Sequence, residues 1–125
     1  MRHCLIVDDS DVVRRVAKRV LEDLHITSTE AETADEAMAC CKRAMPDLIL
    51  LDWHMPQMPA HVFLGQLRQA QGGDHPIVIY CTSENDPADH AKARANGANE
   101  ILIKPFDRES LERKLRRAGV GELGA

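Results

Sequence analysis

Residues 47–52, Asp47-Leu48-Ile49-Leu50-Leu51-Asp52, decide how the rest of the chain is read. Four consecutive aliphatic residues stand between two aspartates. A short unbroken apolar run of this kind fits a strand buried on both faces, as a parallel sheet between two layers of helices requires. Working outward, His3 to Val7 and Ile77 to Cys81 read the same way, and Glu100 to Ile103 as a shorter strand. Ile26 to Ala31 is too polar for a central strand and suits an edge.

Helical patterns fill the gaps between these runs. Val12, Val13, Val16, Ala17, Val20, Leu21 and Leu24 recur at helical spacing, with Ser10 or Asp11 as cap. Arg14, Arg15, Lys18 and Arg19 are then expected on the opposite, solvated face. Thr33-Ala34-Asp35-Glu36 has the capping-box pattern for a helix running to about Ala44. Val62, Phe63, Leu64 and Leu67 suggest a third helix, closed by Gly72-Gly73. Asp86-Pro87 reads as a cap with proline at the first helical position, and Gly97 as the stop. Asp107 caps a last helix through about Ala118. Alternation of five strands and five helices predicts a three-layer α/β/α domain. Periodicity does not give the strand order.

Composition bounds the function. The 125 residues carry a formal net charge of −4, which gives no general electrostatic reason to expect nucleic-acid binding. No apolar run is long enough to span a bilayer, and nothing reads as a secretory signal. A cytoplasmic protein without membrane contact is expected. Cys4, Cys40, Cys41 and Cys81 form no C-x-x-C pair and read as free thiols. The exposed helix faces show no decisive apolar patch.

The strand ends carry the chemistry. In an open parallel sheet, ligands bind beyond the carboxyl ends of the strands. Those ends here are Asp8-Asp9, Asp52, Thr82-Ser83 and Lys104-Pro105. Gathered carboxylates repel one another unless a cation joins them, and a hard divalent ion such as Mg²⁺ fits oxygen ligands. A lysine and a hydroxyl beside one carboxylate suit phosphoryl transfer, with that carboxylate as nucleophile.

Over nearly its whole length the sequence resembles the receiver domains of bacterial two-component response regulators. The residues that carry the resemblance are Asp8-Asp9, Asp52, Met55-Pro56, Thr82, Gly97-Ala98 and Lys104-Pro105-Phe106. It implies a flavodoxin-like, doubly wound five-stranded parallel sheet of order 2-1-3-4-5 over residues 1–119, with 120–125 a flexible tail. It implies a signalling switch rather than an enzyme with an external substrate, one that catalyses only its own phosphorylation and hydrolysis. Asp52 would accept phosphate from a phosphohistidine on a sensor kinase or phosphotransferase, in a two-component system or phosphorelay. Asp8, Asp9, Asp52 and the backbone carbonyl of His54 would hold Mg²⁺. Lys104 would pair with the phosphoryl oxygens, Thr82 would swing toward them, and the bond before Pro105 would be cis. His54 and Glu84 occupy positions that tune dephosphorylation. Output would pass through the fourth helix, fifth strand and fifth helix to an unknown protein, from a monomer or a phosphorylation-dependent dimer.

Two features depart from the family pattern. Ile101 stands where most members carry the switch aromatic, with Tyr80 nearby as a possible substitute. Pro59-Ala60 stands where an acidic or amide residue and glycine are usual, so the start of the third helix should differ locally. Competing readings are a ligand-regulated interaction module using the basic last helix, and one domain of a larger regulator. A haloacid-dehalogenase-type phosphatase is disfavoured because Trp53-His54 follow Asp52, where that class wants an acid–base aspartate two residues on.

Overall fold

The computed structural model describes residues 2–55 and 58–119. In chain order the elements are β1 (His3–Val7), α1 (Asp11–Asp23), β2 (Thr27–Ala31), α2 (Ala34–Arg43) and β3 (Leu48–Asp52). They continue with α3 (Ala60–Gln69), β4 (Ile77–Thr82), α4 (Pro87–Ala95), β5 (Glu100–Ile103) and α5 (Arg108–Arg117). The strands form one parallel sheet of order β2-β1-β3-β4-β5, as expected. The tail expected over 120–125 lies outside the described residues.

Strand alternation divides the apolar residues between two cores. Leu5, Val7, Ile49, Leu51, Val78, Tyr80 and Ile101 face α2, α3 and α4 through Ala37, Phe63, Leu64, Leu67 and Ala93. Cys4, Ile6, Leu48, Leu50, Ile79, Cys81 and Leu102 face α1 and α5 through Ala17, Leu21, Leu111 and Leu115. Every residue of β3 is buried, which is why its sequence shows no alternation. Phe63 is fully buried, and truncating such a ring to alanine costs about 3–5 kcal/mol. No helix among the described residues is long and apolar enough to cross a membrane.

The edge strand β2 tolerates polar residues because side chains satisfy it. The His3 ring nitrogens lie 2.7 Å from both Thr27 Oγ1 and Thr29 Oγ1. Ser10, Thr33, Asp86 and Asp107 each accept a backbone N–H at a helix start. The capping box at α2 closes differently from its sequence pattern. Thr33 accepts from Glu36 N–H, but Glu36 reaches back to Glu32 N–H instead of the cap residue. At α3, Pro59 occupies the cap position with φ −57° and offers no side-chain acceptor. That helix ends at Gln69, before the glycines.

Arg68 locks the loops at the amino ends of β4 and β5. Its guanidinium donates to the carbonyls of Gly73, Pro76 and Gly97 and to Asn99 Oδ1. Gly97 sits at φ +114°, and a Cβ there would lie 2.8 Å from Arg68 Nε. Glycine is therefore required at this position on two counts.

One expectation for α1 is overturned. Arg14 is on the buried side, 7% exposed, whereas Val12 is 65% and Val16 39% exposed. Arg14, Ala17 and Leu21 form the inward stripe at i, i+3, i+7. The guanidinium is compatible with burial because Asp8, Asp11, Glu30 and Glu32 all offer it oxygen atoms.

Candidate functional site

The carboxyl ends of β1, β3, β4 and β5 deliver Asp8, Asp52, Thr82 and Lys104 to one edge of the sheet. The register aligns Val7 with Leu51 and Asp52 with Cys81, so the two aspartates that follow emerge side by side. Asp8 and Asp52 are each only 3% exposed, and Thr82 is fully buried. Lys104 Nζ donates to Asp8 Oδ2 at 2.8 Å and to Asp52 Oδ1 at 2.9 Å. The expected convergence of residues 8, 52 and 104 is therefore present.

Backbone donors complete the cradle. Ser10 N–H bonds Asp8 Oδ1 at 2.9 Å, and His54 N–H approaches Asp52 Oδ1 at 3.4 Å. Among the described residues no donor bonds Asp52 Oδ2. Asp9 is exposed, yet one carboxylate oxygen from each of Asp8, Asp9 and Asp52 lies within 4.8 Å of the others.

Electrostatics follow from this crowding. Burial pushes the Asp52 carboxyl above the ordinary aspartate range; the Lys104 bond opposes the shift and the Asp8 charge adds to it. Burial alone would lower the Lys104 pKa, but its bonds to Asp52 and Asp8 outweigh that and raise it. Lys104 gains from two carboxylates, while each carboxylate shares one lysine and faces the other acid. Three carboxylates against one lysine leave negative charge that a hard divalent cation would neutralise, and the all-oxygen donor set fits Mg²⁺.

Thr82 is tied to the same site. Its carbonyl accepts from Lys104 N–H at 2.7 Å, and its hydroxyl accepts from Glu84 N–H at 3.0 Å. The hydroxyl therefore caps the β4–α4 turn, and among the described residues it makes no hydrogen bond to Asp52. Glu84 and His54 are exposed beside it. Ile101 is buried directly opposite Tyr80 in the β4–β5 register. The Lys104–Pro105 bond is cis, as the resemblance implied.

The response regulator receiver domain model matches residues 4–116. The chain belongs to this family. The receiver domain is 33% identical over 112 residues to the chemotaxis protein CheY-3 of Vibrio cholerae, covering 89% of this chain and 86% of that one. It is 32% identical over 116 residues to the phosphate regulon transcriptional regulatory protein PhoB of Klebsiella pneumoniae, covering 92% of this chain and 50% of PhoB. Among solved structures, chemotaxis response regulator CheY4 of Vibrio cholerae superposes with a TM-score of 0.89 at 30% identity, covering 94% of this chain and 98% of that one. The receiver is thus a phosphorylation-dependent switch of two-component signalling, and the likeness does not favour the reading as a basic ligand-binding module.

Sequence reasoning missed two features of the receiver's site region. One is Arg14, whose Nη1 donates to the Asp8 carbonyl at 2.7 Å. Its place on the Ala17–Leu21 stripe was the available signal, masked by its charge. The other is an apolar groove of about 340 Å³ beside Lys104, lined by Val12, Val13, Val16, Pro105 and Phe106. The expectation is only that the exposed helix faces show no decisive apolar patch, and Val12 and Val16 of α1 stand exposed along this groove. Exposed valines within a helical apolar pattern look like core residues in the sequence, so nothing there pointed outward.

Proposed function

We propose that the chain is a Mg²⁺-dependent phosphoryl acceptor with Asp52 as the nucleophile. The observation that supports this best is the Lys104 ammonium bridging Asp52 Oδ1 and Asp8 Oδ2 at the carboxyl edge of the sheet. It leaves Asp52 Oδ2 free to attack. That oxygen would form a bond to the phosphorus of a phosphohistidine, and the phosphorus–nitrogen bond would break with the imidazole as leaving group. Asp8, Asp9, Asp52 and the His54 carbonyl would hold the cation, which supplies charge neutralisation for the phosphoryl oxygens.

Lys104 would stabilise the same oxygens from the β5 side. Thr82 would have to release Glu84 N–H to reach them, which would couple the site to the β4–α4 turn. His54 and Glu84, exposed at the site, would set access for the hydrolytic water. The groove at Val12, Val16 and Phe106 gives a kinase or phosphotransferase an apolar surface within reach of Asp52. Output through α4, β5 and α5 to a downstream protein in the cytoplasm completes this reading.

The test is incubation with acetyl phosphate and Mg²⁺, read by intact mass, on the unaltered chain and Asp52→Asn. A single phosphate adduct that needs Mg²⁺ and is lost in the variant is expected. An adduct retained in Asp52→Asn would overturn the assignment of the acceptor.

A further inference from the structure

Asp9 presents a problem of aim. Its side chain is exposed, and among the described residues no hydrogen bond or ion pair holds its carboxylate. Yet one of its oxygens lies within 4.8 Å of oxygens from Asp8 and Asp52. With no partner holding the carboxylate, its direction starts from the backbone that carries it, and the peptide joining Asp8 to Asp9 sets where the side chain departs. Asp8 N–H bonds Ala31 O at 3.1 Å, and Ser10 N–H bonds Asp8 Oδ1 at 2.9 Å. Of the Asp8–Asp9 peptide itself, the carbonyl oxygen accepts from Arg14 Nη1 at 2.7 Å.

The guanidinium is itself clamped. Nε donates to Glu30 Oε1 at 3.1 Å, and Nη2 pairs with Asp11 and lies 3.5 Å from Glu32 Oε1. A planar fork held by acids on α1, β2 and the turn after β2 has one orientation left. Arginine keeps its charge throughout the accessible pH range.

We infer that Arg14 is a positioning residue for the cation site, orienting the Asp8–Asp9 peptide through the Asp8 carbonyl so that Asp9 faces Asp52. The inference rests on the reading that these aspartates hold Mg²⁺. Partners one shell out from metal ligands commonly change affinity 10–100-fold when replaced. Arg14 touches no reacting atom, so its loss acts on cation affinity and leaves the transfer step at saturating cation alone.

Replacing Arg14 strands no buried charge, because the side chains of Asp11, Glu30 and Glu32 are 75%, 40% and 61% exposed. The test uses Arg14→Met and Arg14→Lys. Mg²⁺ affinity is measured by calorimetry, and the rate of acetyl phosphate labelling is followed against Mg²⁺ concentration. Arg14→Met should weaken Mg²⁺ about tenfold or more. Its labelling rate at saturating Mg²⁺ should stay within about threefold of the unaltered chain, and Arg14→Lys should fall between the two. A folded Arg14→Met whose Mg²⁺ affinity lies within twofold of the unaltered chain overturns the inference. So does a labelling rate depressed equally at every Mg²⁺ concentration. If Arg14→Met does not fold, Arg14→Gln, which also lacks the charged fork, decides by the same criteria. Absence of Mg²⁺ binding in the unaltered chain would instead overturn the cation-site reading itself.

Discussion

Lys104→Met tests the electrostatics of the site without touching a carboxylate. Asp8 and Asp52 are both nearly inaccessible, and the Lys104 ammonium within 3 Å of each is the cation they share. Methionine keeps the length and most of the packing of the stem but leaves two buried carboxylates facing each other. Removing one partner from a buried pair costs about 3–5 kcal/mol. Lys104 is 20% exposed, so solvent screening discounts this to about 2–3 kcal/mol at pH 7.5 without divalent cation. For a domain of this size that is a fall in Tm of roughly 6–15 °C.

Two further dependences follow from the same geometry. Mg²⁺ at a hundred times its Kd restores about 2.7 kcal/mol by mass action. Acidification also helps. The Asp52 carboxyl is already raised above its unfolded value by burial, and losing Lys104 raises it further. A raised acid binds its proton in the folded state first, so its penalty is present at neutral pH and shrinks as pH falls toward the unfolded aspartate range. The difference between Lys104→Met and the unaltered chain should therefore narrow between pH 7.5 and pH 5. Urea or thermal unfolding in EDTA, in excess Mg²⁺ and across that pH range reads all three effects. A variant within about 0.5 kcal/mol of the unaltered chain in EDTA at pH 7.5 would refute the reasoning, because it would mean that Asp8 and Asp52 do not burden the fold.

Val12→Asp should slow transfer from a phosphohistidine protein about tenfold, consistent with loss of roughly 1.4 kcal/mol of apolar docking, while labelling by acetyl phosphate stays within twofold. Because Val12 is mostly exposed, urea unfolding should move by no more than about 0.5 kcal/mol. Exchanging His54 and Glu84 together for alanine should alter the decay rate of the phosphorylated form more than twofold, followed by intact mass after donor removal; an unchanged rate would remove them from that role. Gly97→Ala should cost about 2–4 kcal/mol in urea, combining the strain of positive φ with the clash against Arg68; a cost below about 0.5 kcal/mol would contradict the described turn.

The sheet was legible because β1, β3 and β4 are buried on both sides and had to be written as unbroken apolar runs. The caps at Ser10, Thr33, Asp86 and Asp107 were legible because a side-chain acceptor beside the first helical turn has few other uses. Strand order was not, since burial says nothing of which strand lies beside which; the family resemblance supplied it. The aspartates and Lys104 could be placed because strand ends are fixed by strand lengths. Arg14 and Val12 were placed on the wrong faces for one reason: helical periodicity was read through residue chemistry. A charge that finds three carboxylates and a carbonyl can be buried, and an aliphatic residue that lines a groove can face outward.

The placement of Lys104 directly after β5 has a consequence for motion. Asp8 and Asp52 ride on β1 and β3, adjacent strands in the interior of the sheet, whereas β5 is a four-residue strand paired only with β4. Rim elements open locally at lower free energy than central ones. Amides of Ile101 to Lys104 should accordingly exchange with solvent sooner than those of Leu48 to Asp52 in the interior.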